Sequence, residues 1–376
     1  MHIETFGMER MQSTYEHEVE YNLSESGVEP MSVAQLIEGV AGTRSVLELP
    51  LGYPEAMGSA SLRERIAAWY PGAEPHNVTV MNGGAEVNFI TLWSLLEPDS
   101  RLAFMVPNYM QGWGLGRHFG AGSDAFHLML TEQDGRTRWA LDLDELEHAI
   151  TPDTTVVWVT NPNNPTGAVL TDEEMDAVVE VARRSGAWLV ADEIYRGAEL
   201  SGSTTSTFWG RYDRVIVTSG LSKAFAMPGL RLGWAVAPPD VIERMWVHHD
   251  YTTLTPGMLS ERLATLALEP GRREAIFERT RGILRRNLPR VEEWIREHED
   301  ILTYVPPEAG AILYVKYELP VRSGRLIDLL REEYSVLIVP GEQFGMGPYF
   351  RIGYGSDPDY TLKGLARVGE ALRRFA

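Results

Sequence analysis

The strongest constraint on how this chain folds is an alternation. Short β-branched or apolar runs, Asn77 to Met81, Arg101 to Val106, Thr154 to Val159, Ala187 to Ala191 and Arg214 to Thr218, are separated by stretches of helix length with amphipathic spacing. Successive βα units of this kind predict a mostly parallel α/β sheet. The clearest helices are expected over Ala60 to Trp69, Asp172 to Arg184 and Asp240 to Tyr251. The second is preceded by Thr171 and carries Glu174 three residues on, a capping box that satisfies backbone N–H groups at a helix start.

At 376 residues the chain exceeds the size at which one hydrophobic core stops growing, so a large domain and a smaller one are expected. After about Pro270 the texture changes to a long charged helix, Arg272 to Glu299, and then to strands and helices in a different order. The expected division is a large domain over 46–275 and a smaller α+β domain made of 1–45 with 276–376. The first 45 residues have too little apolar periodicity to stand alone, so they are expected to pack on the carboxyl-terminal part or across a subunit interface. No fixed-period repeat or low-complexity segment is present.

Composition narrows the function classes. Hydrophobic residues at 44% and charged residues at 23% fit an ordinary globular enzyme and exclude a disordered or fibrous chain. With 34 basic and 53 acidic residues the net charge is -19, which repels nucleic acid and anionic membrane surfaces, so neither is expected as a partner. The absence of cysteine removes disulfides, thiolate metal sites and a cysteine nucleophile, and agrees with a reducing cytoplasm. The first eleven residues, with Glu4, Glu9 and Arg10, lack the apolar core of a signal peptide. His248 and His249 are adjacent on a predicted helix with no third ligand near, and are read as a solvated pair; no metal site is expected.

Four segments carry the chemistry. Ser219-Gly-Leu-Ser-Lys-Ala-Phe-Ala-Met-Pro-Gly-Leu-Arg-Leu-Gly-Trp234 sets Lys223 just after a predicted strand and Arg231 eight residues later. A lysine amine forms an imine with a carbonyl only when deprotonated, and burial beside a cationic ring lowers its pKa toward that state. Arg231 offers a planar donor pair to phosphate, and Ser222 a hydroxyl. Ala187-Trp-Leu-Val-Ala-Asp-Glu-Ile-Tyr195 ends an apolar run in Asp192, at the carboxyl edge where α/β sheets bind ligands. Asn77-Val-Thr-Val-Met-Asn-Gly-Gly-Ala-Glu86 leads from a strand through two glycines into a helix start, which points N–H groups at an anion. Asn161-Pro-Asn-Asn-Pro-Thr-Gly167 is a turn directly after another strand.

These motifs, in this order, resemble the class I and II aminotransferases, fold-type I enzymes that use pyridoxal 5'-phosphate (PLP); Ser24 to Val28 and Asp250 to Thr255 resemble most the capreomycidine synthase-like members. The resemblance implies a large domain with a mostly parallel seven-stranded sheet, and Lys223 as the residue joined to the cofactor aldehyde. It implies Arg231, Ser222 and the backbone of Gly84 and Ala85 on the phosphate, Asn164 and Tyr195 on the phenolic oxygen, and Asp192 on the pyridinium nitrogen. Tyr109, in Pro107-Asn-Tyr, would stack on the ring, and Tyr53 would reach the phosphate from a partner subunit, making a homodimer with shared sites. Arg351, in Tyr349-Phe-Arg-Ile-Gly353, would clamp the substrate α-carboxylate, with a backbone contact near Gly27. The sequence departs from the family at Ala85 and Gly220, where relatives carry hydroxyl residues.

The activity so implied is transfer of an amino group between an L-amino acid and a 2-oxo acid by a ping-pong mechanism. A PLP-dependent cyclase, lyase or arginine oxidase stays open as an alternative. So does a non-catalytic regulator, although residues 1 to 45 lack the basic DNA-binding segment it would need. The amino donor is not legible; Arg10 and Trp113 are candidates to reach the site.

Overall fold

In the computed structural model, which describes residues 3–38 and 46–375, the apolar runs pair into one eight-stranded sheet. Its spatial order is Val78–Met81, Gly233–Val236, Val215–Gly220, Trp188–Asp192, Thr154–Thr160, Arg101–Val106, Gly122–Gln133 and Arg136–Leu141. Strands buried on both faces need continuous apolar sequence, and Val156, Val157, Trp158 and Val159 are buried accordingly. From Val215–Gly220 to Gly122–Gln133 every neighbouring pair is parallel. Gly233–Val236 runs against both its neighbours.

Seven of these strands make up the sheet anticipated from the resemblance; the eighth, Arg136–Leu141, folds back antiparallel on Gly122–Gln133. The two residues between them, Asp134 and Gly135, both have positive φ (51° and 73°), the conformation a two-residue hairpin turn requires. The capping box at Thr171 is present, and its helix runs Asp172–Ser185.

A separate four-stranded antiparallel sheet joins Leu302–Tyr304, Ile312–Tyr317, Tyr349–Gly353 and Val339–Pro340. The amino-terminal segment attaches to this part of the molecule: Tyr21–Asn22 pairs in parallel with Val336–Leu337, and the Asn22 N–H donates to Tyr360 Oη at 2.6 Å. The long helix is Pro270–Arg296, and the border at 275/276 drawn from the sequence falls inside it.

Register positions the functional end of the large sheet. Asp192 pairs with Thr160 on one side and Thr218 on the other, so the carboxyl ends of three central strands lie level. Because Gly233–Val236 is reversed, its first residue faces both Met81 and Gly220, which brings Arg231 and the Asn82–Gly84 loop to the same edge. One expectation is overturned here. The helix Pro239–His249 turns Met245 and His249, four residues apart, to the same buried side, so His249 is fully buried against Thr253 Oγ1 at 3.1 Å. His248 packs on Trp93, ring centres 4.5 Å apart, so the two histidines are not a solvated pair.

Gly233 has no room for a side chain: a Cβ there would lie 2.6 Å from Gly84 N and 2.7 Å from the Gly83 carbonyl carbon. Gly233→Ala is therefore expected to destabilise the cofactor-free protein by about 1–3 kcal/mol in thermal or denaturant unfolding. Gly229→Ala, where a Cβ meets nothing within 4 Å, should stay within about 0.5 kcal/mol of the parent.

Candidate active site

At the carboxyl edge of the sheet a cavity of about 330 Å³ is lined by Lys223, Ser222, Arg231, Asp192, Tyr195, Asn164, Tyr109, Gly84, Ala85 and Arg351, all anticipated from the sequence. Two anticipated residues do not line it. Tyr53 is 85% exposed on the surface. Gly27 lies just behind the wall, its N–H donating to Glu25 Oε1 at 2.9 Å. Arg10 and Trp113, candidates to reach the site, do not line the cavity either.

The anion end is built from backbone. Gly83, at φ +93°, precedes the helix Gly84–Leu95, whose first N–H groups lack partners within the helix. A Cβ on Gly83 would fall 2.6 Å from Arg231 Nη2, so the glycine both permits the turn and lets the guanidinium close on it. Arg231 itself sits at φ +46°.

The floor carries a buried acid. Asp192 accepts from the Ile194 N–H at 3.0 Å and from Asn88 Nδ2 at 3.3 Å. Burial raises its pKa, these hydrogen bonds oppose the rise, and the carboxyl ends pushed up to about 6. An anion so placed wants a cationic partner.

Lys223 Nζ lies 3.0 Å from Glu25 Oε1. Burial acts to lower the lysine pKa, as anticipated, but the Glu25 charge and hydrogen bond outweigh it and raise the amine above its ordinary value. Glu25 in turn is pulled down to about 2, chiefly by the Lys223 charge against the opposing effect of burial. Tyr195 is 2% exposed, and its hydroxyl has no hydrogen-bond partner.

Arg351, on the strand Tyr349–Gly353, is 1% exposed. It donates from Nη1 to Asn164 Oδ1 at 2.8 Å and from Nη2 to the Ser24 carbonyl at 2.5 Å, and its guanidinium lies 5.0 Å from the Phe344 ring centre; Nε has no partner. A guanidinium only donates, so the Asn164 atom facing it is the oxygen and the amide nitrogen is left as a donor. Tyr109 donates from its hydroxyl to Glu9 Oε1 at 2.8 Å.

Three functional positions were not singled out from the sequence. Asn88 lies four residues after Gly84, the spacing that puts both on one helix face. Glu25 sits inside the Ser24 to Val28 segment, where only the glycine had been read. Glu9 belongs to the helix Gly7–Tyr15, which is short and placed by tertiary contacts, notably Gln12 Nε2 to the Ser24 carbonyl at 3.0 Å. Among the described residues no group of three His, Cys, Asp or Glu is arranged to hold a metal ion.

Comparison with known proteins gives a consistent answer. The family described as aminotransferase class I and II matches residues 49–368. Capreomycidine synthase of Streptomyces vinaceus is 27% identical over 94% of this chain and 90% of its own length. A PLP-dependent aminotransferase of Streptococcus suis superposes with a TM-score of 0.90 at 29% identity, covering 100% of this chain and 99% of the other. A PLP-dependent cyclase, OrfR, superposes with 0.89 at 26% identity over the same shares.

The Asp192 carboxylate costs the cofactor-free protein stability, and the sign follows from its raised pKa. The folded state binds the proton that the unfolded chain releases, so stability falls as pH rises from about 4 to about 6 and stays low above. Asp192→Asn should stabilise the cofactor-free protein more at pH 8 than at pH 4, by about 2–3 kcal/mol, in thermal unfolding followed across that range.

Proposed function

The chain belongs to the aminotransferase class I and II family and is a PLP-dependent enzyme; from that premise we propose that it moves an amino group between an L-amino acid and a 2-oxo acid. The observation that supports this most is the convergence on one cavity of Lys223, Asp192, Arg351 and a glycine-led helix start.

The residues present fit the cofactor. The Gly83 turn and Arg231 form a cradle for a phosphate that a Cβ would fill. The orphaned Tyr195 hydroxyl and the free Asn164 amide nitrogen are donors of the kind a phenolate accepts, and the unpaired Asp192 carboxylate suits a pyridinium N–H. When bound, PLP supplies an aldehyde that condenses with amines and a ring that delocalises the electron pair left as a bond to the α-carbon breaks. Asp192 keeps the ring nitrogen protonated. Tyr109, on the cavity wall, would restrain the ring. Arg351 orients the α-carboxylate, and a guanidinium holding a carboxylate by two N–H groups fixes which α-bond is presented. Lys223 is the base that takes the α-proton on Nζ and returns it elsewhere. Glu25, at 3.0 Å, holds that amine in reach between the two transfers.

A PLP-dependent cyclase is the second reading, supported by the capreomycidine synthase and OrfR comparisons. Transamination and cyclisation would both use the residue set above, so product identity separates the two readings. Transamination leaves pyridoxamine phosphate on the enzyme and a free 2-oxo acid, whereas cyclisation returns the cofactor unchanged and retains the amino group.

We further assign a homodimer in the cytoplasm. Leu47, Leu51 and Tyr53 are 80%, 83% and 85% exposed within one short segment, an apolar stretch that a second copy would cover, with Tyr53 completing the partner's phosphate site. The absence of cysteine agrees with a reducing compartment.

Incubation with a panel of L-amino acids should convert bound PLP to pyridoxamine phosphate with at least one of them, measured by chromatography of the released cofactor; retention of PLP with formation of a cyclic product would favour the cyclase instead. Lys223→Ala should lower turnover by about 100-fold to 10,000-fold and abolish the visible absorbance of the lysine-joined cofactor. Mixing Lys223→Ala with Tyr53→Phe chains should recover about a quarter of parental activity, since half the dimers then hold one intact site; recovery of none would dismiss the shared site.

A further inference from the structure

His249 and the segment Asp250 to Thr255 do not line the cavity, yet both converge on its anion end. The turn there, Asn82–Gly84, lacks the usual support of a helix start, because Gly83 at the N-cap has no side-chain oxygen to accept a helix N–H. Its support comes from the third helical residue and from outside the helix. Glu86 Oε2 accepts from the Asn82 N–H at 2.7 Å, and Asn82 Nδ2 donates to the Thr255 carbonyl at 3.0 Å.

The Thr253 hydroxyl is the centre of this arrangement, and its neighbours fix where its proton lies. Asn82 Nδ2 is 2.8 Å away, Glu86 Oε1 and Oε2 are 2.8 and 3.0 Å away, and His249 Nε2 is 3.1 Å away. The Thr255 carbonyl only accepts, so the Asn82 atom shared between it and Thr253 is the amide nitrogen, a donor. The Glu86 carboxylate also only accepts, so it takes the hydroxyl proton. One lone pair of Thr253 is then left, and a protonated His249 Nε2 fills it. The ring is neutral with Nδ1 bare, and Nδ1 is buried without a hydrogen-bond partner. Burial lowers the His249 pKa against the charges of Glu86 and Asp250, which agrees with a neutral ring. The one proton and two lone pairs of the hydroxyl are all in use.

This junction acts on the cradle from outside the cavity, since Gly84 and Ala85 line the cavity and Glu86 does not. The turn it holds has little slack. A Cβ on Gly83 would fall 2.6 Å from Arg231 Nη2, and one on Gly233 would fall 2.6 Å from Gly84 N. A displacement of about half an ångström would change how the helix N–H groups and Arg231 meet an anion.

We propose that Glu86, Thr253 and His249 are positioning residues for the cofactor phosphate, a three-way hydrogen-bond junction that fixes the Asn82–Gly84 turn against Arg231. This rests on the reading of that turn as the phosphate cradle of a PLP-dependent enzyme.

The test compares PLP with pyridoxal, which has the same ring and aldehyde and lacks the phosphate. Each is titrated onto the cofactor-free protein and followed by visible absorbance. The parent should bind PLP about 100-fold or more tightly than pyridoxal. Thr253→Val keeps the side-chain shape and removes the hydroxyl; it should weaken PLP by about 5-fold to 30-fold and leave pyridoxal within about 2-fold. Thr253→Ser should restore the parental ratio. Glu86→Gln sets donor against donor whichever way its amide faces, so the ratio should fall as it does in Thr253→Val. Amide exchange at Asn82 needs no variant, and its N–H should be protected in the parent protein. Should Thr253→Val not fold, Glu86→Gln and the Asn82 exchange decide. Equal weakening of PLP and pyridoxal, a Thr253→Ser protein no better than Thr253→Val, or free exchange at Asn82 overturns the proposal. An intact parental preference that neither Thr253→Val nor Glu86→Gln moves overturns it alone. A parent with no preference for PLP over pyridoxal overturns the cradle reading and this proposal together.

Discussion

One buried guanidinium holds the functional end of the molecule together. Arg351 starts on the small antiparallel sheet, donates to the Ser24 carbonyl of the amino-terminal loop, and donates to Asn164 in the loop after a large-sheet strand. Three segments distant in sequence meet at a group that burial alone would make expensive. The Phe344 ring at 5.0 Å and two hydrogen bonds offset part of that cost, and the unpartnered Nε marks the part left over. If Arg351 anchors the substrate carboxylate as proposed, substrate and native architecture draw on the same side chain.

The same economy governs the floor of the site. Asp192, Lys223 and Arg351 all line one cavity, yet the acid does not pair with either cation; Asp192 is met by neutral donors and Lys223 by Glu25. Keeping Asp192 away from a protein cation leaves it available for a ligand's. Glu25 is the counter-ion with freedom to adapt, since its side chain is 48% exposed against 22% for Lys223, while Asp192 and Arg351 are buried.

How much of this was legible follows from where each signal lies. The parallel strands announce themselves by β-branched runs, and what comes immediately after each one, Tyr109, Asn164, Asp192 with Tyr195, and Lys223, is the site; a sheet edge makes chain position and spatial position nearly the same thing. The eighth strand is signalled too, by the Asp134-Gly135 pair between alternating residues, but more faintly, because the flanking Gly122 to Gln133 is not an apolar run. Glu9 and Glu25 carried no local signal, since their place in the site depends on the amino-terminal segment pairing with residues more than 300 positions away. His249 carries a misleading signal for a related reason: a histidine on a charged helix reads as solvated until the helix Gly84–Leu95 is in place, whose Glu86 lies 3.9 Å from His249 Nε2. Tyr53 lies outside the cavity of a single chain, and only a second copy can give it the part the resemblance suggests.

The reversed strand Gly233–Val236 turns the loop before it into a caliper. Lys223 and Arg231 are its two jaws, and the seven-residue path between them is pinned internally: Ala226 N–H to Lys223 O, Met227 N–H to Leu221 O, Leu221 N–H to Leu232 O. Ala226 and Arg231 are both held at positive φ, 56° and 46°, so neither jaw can slide without releasing a conformation that its neighbours enforce. With Lys223 and Arg231 in the roles proposed for them, a ligand would be gauged by the separation of its carbonyl from its anion before any single contact is weighed.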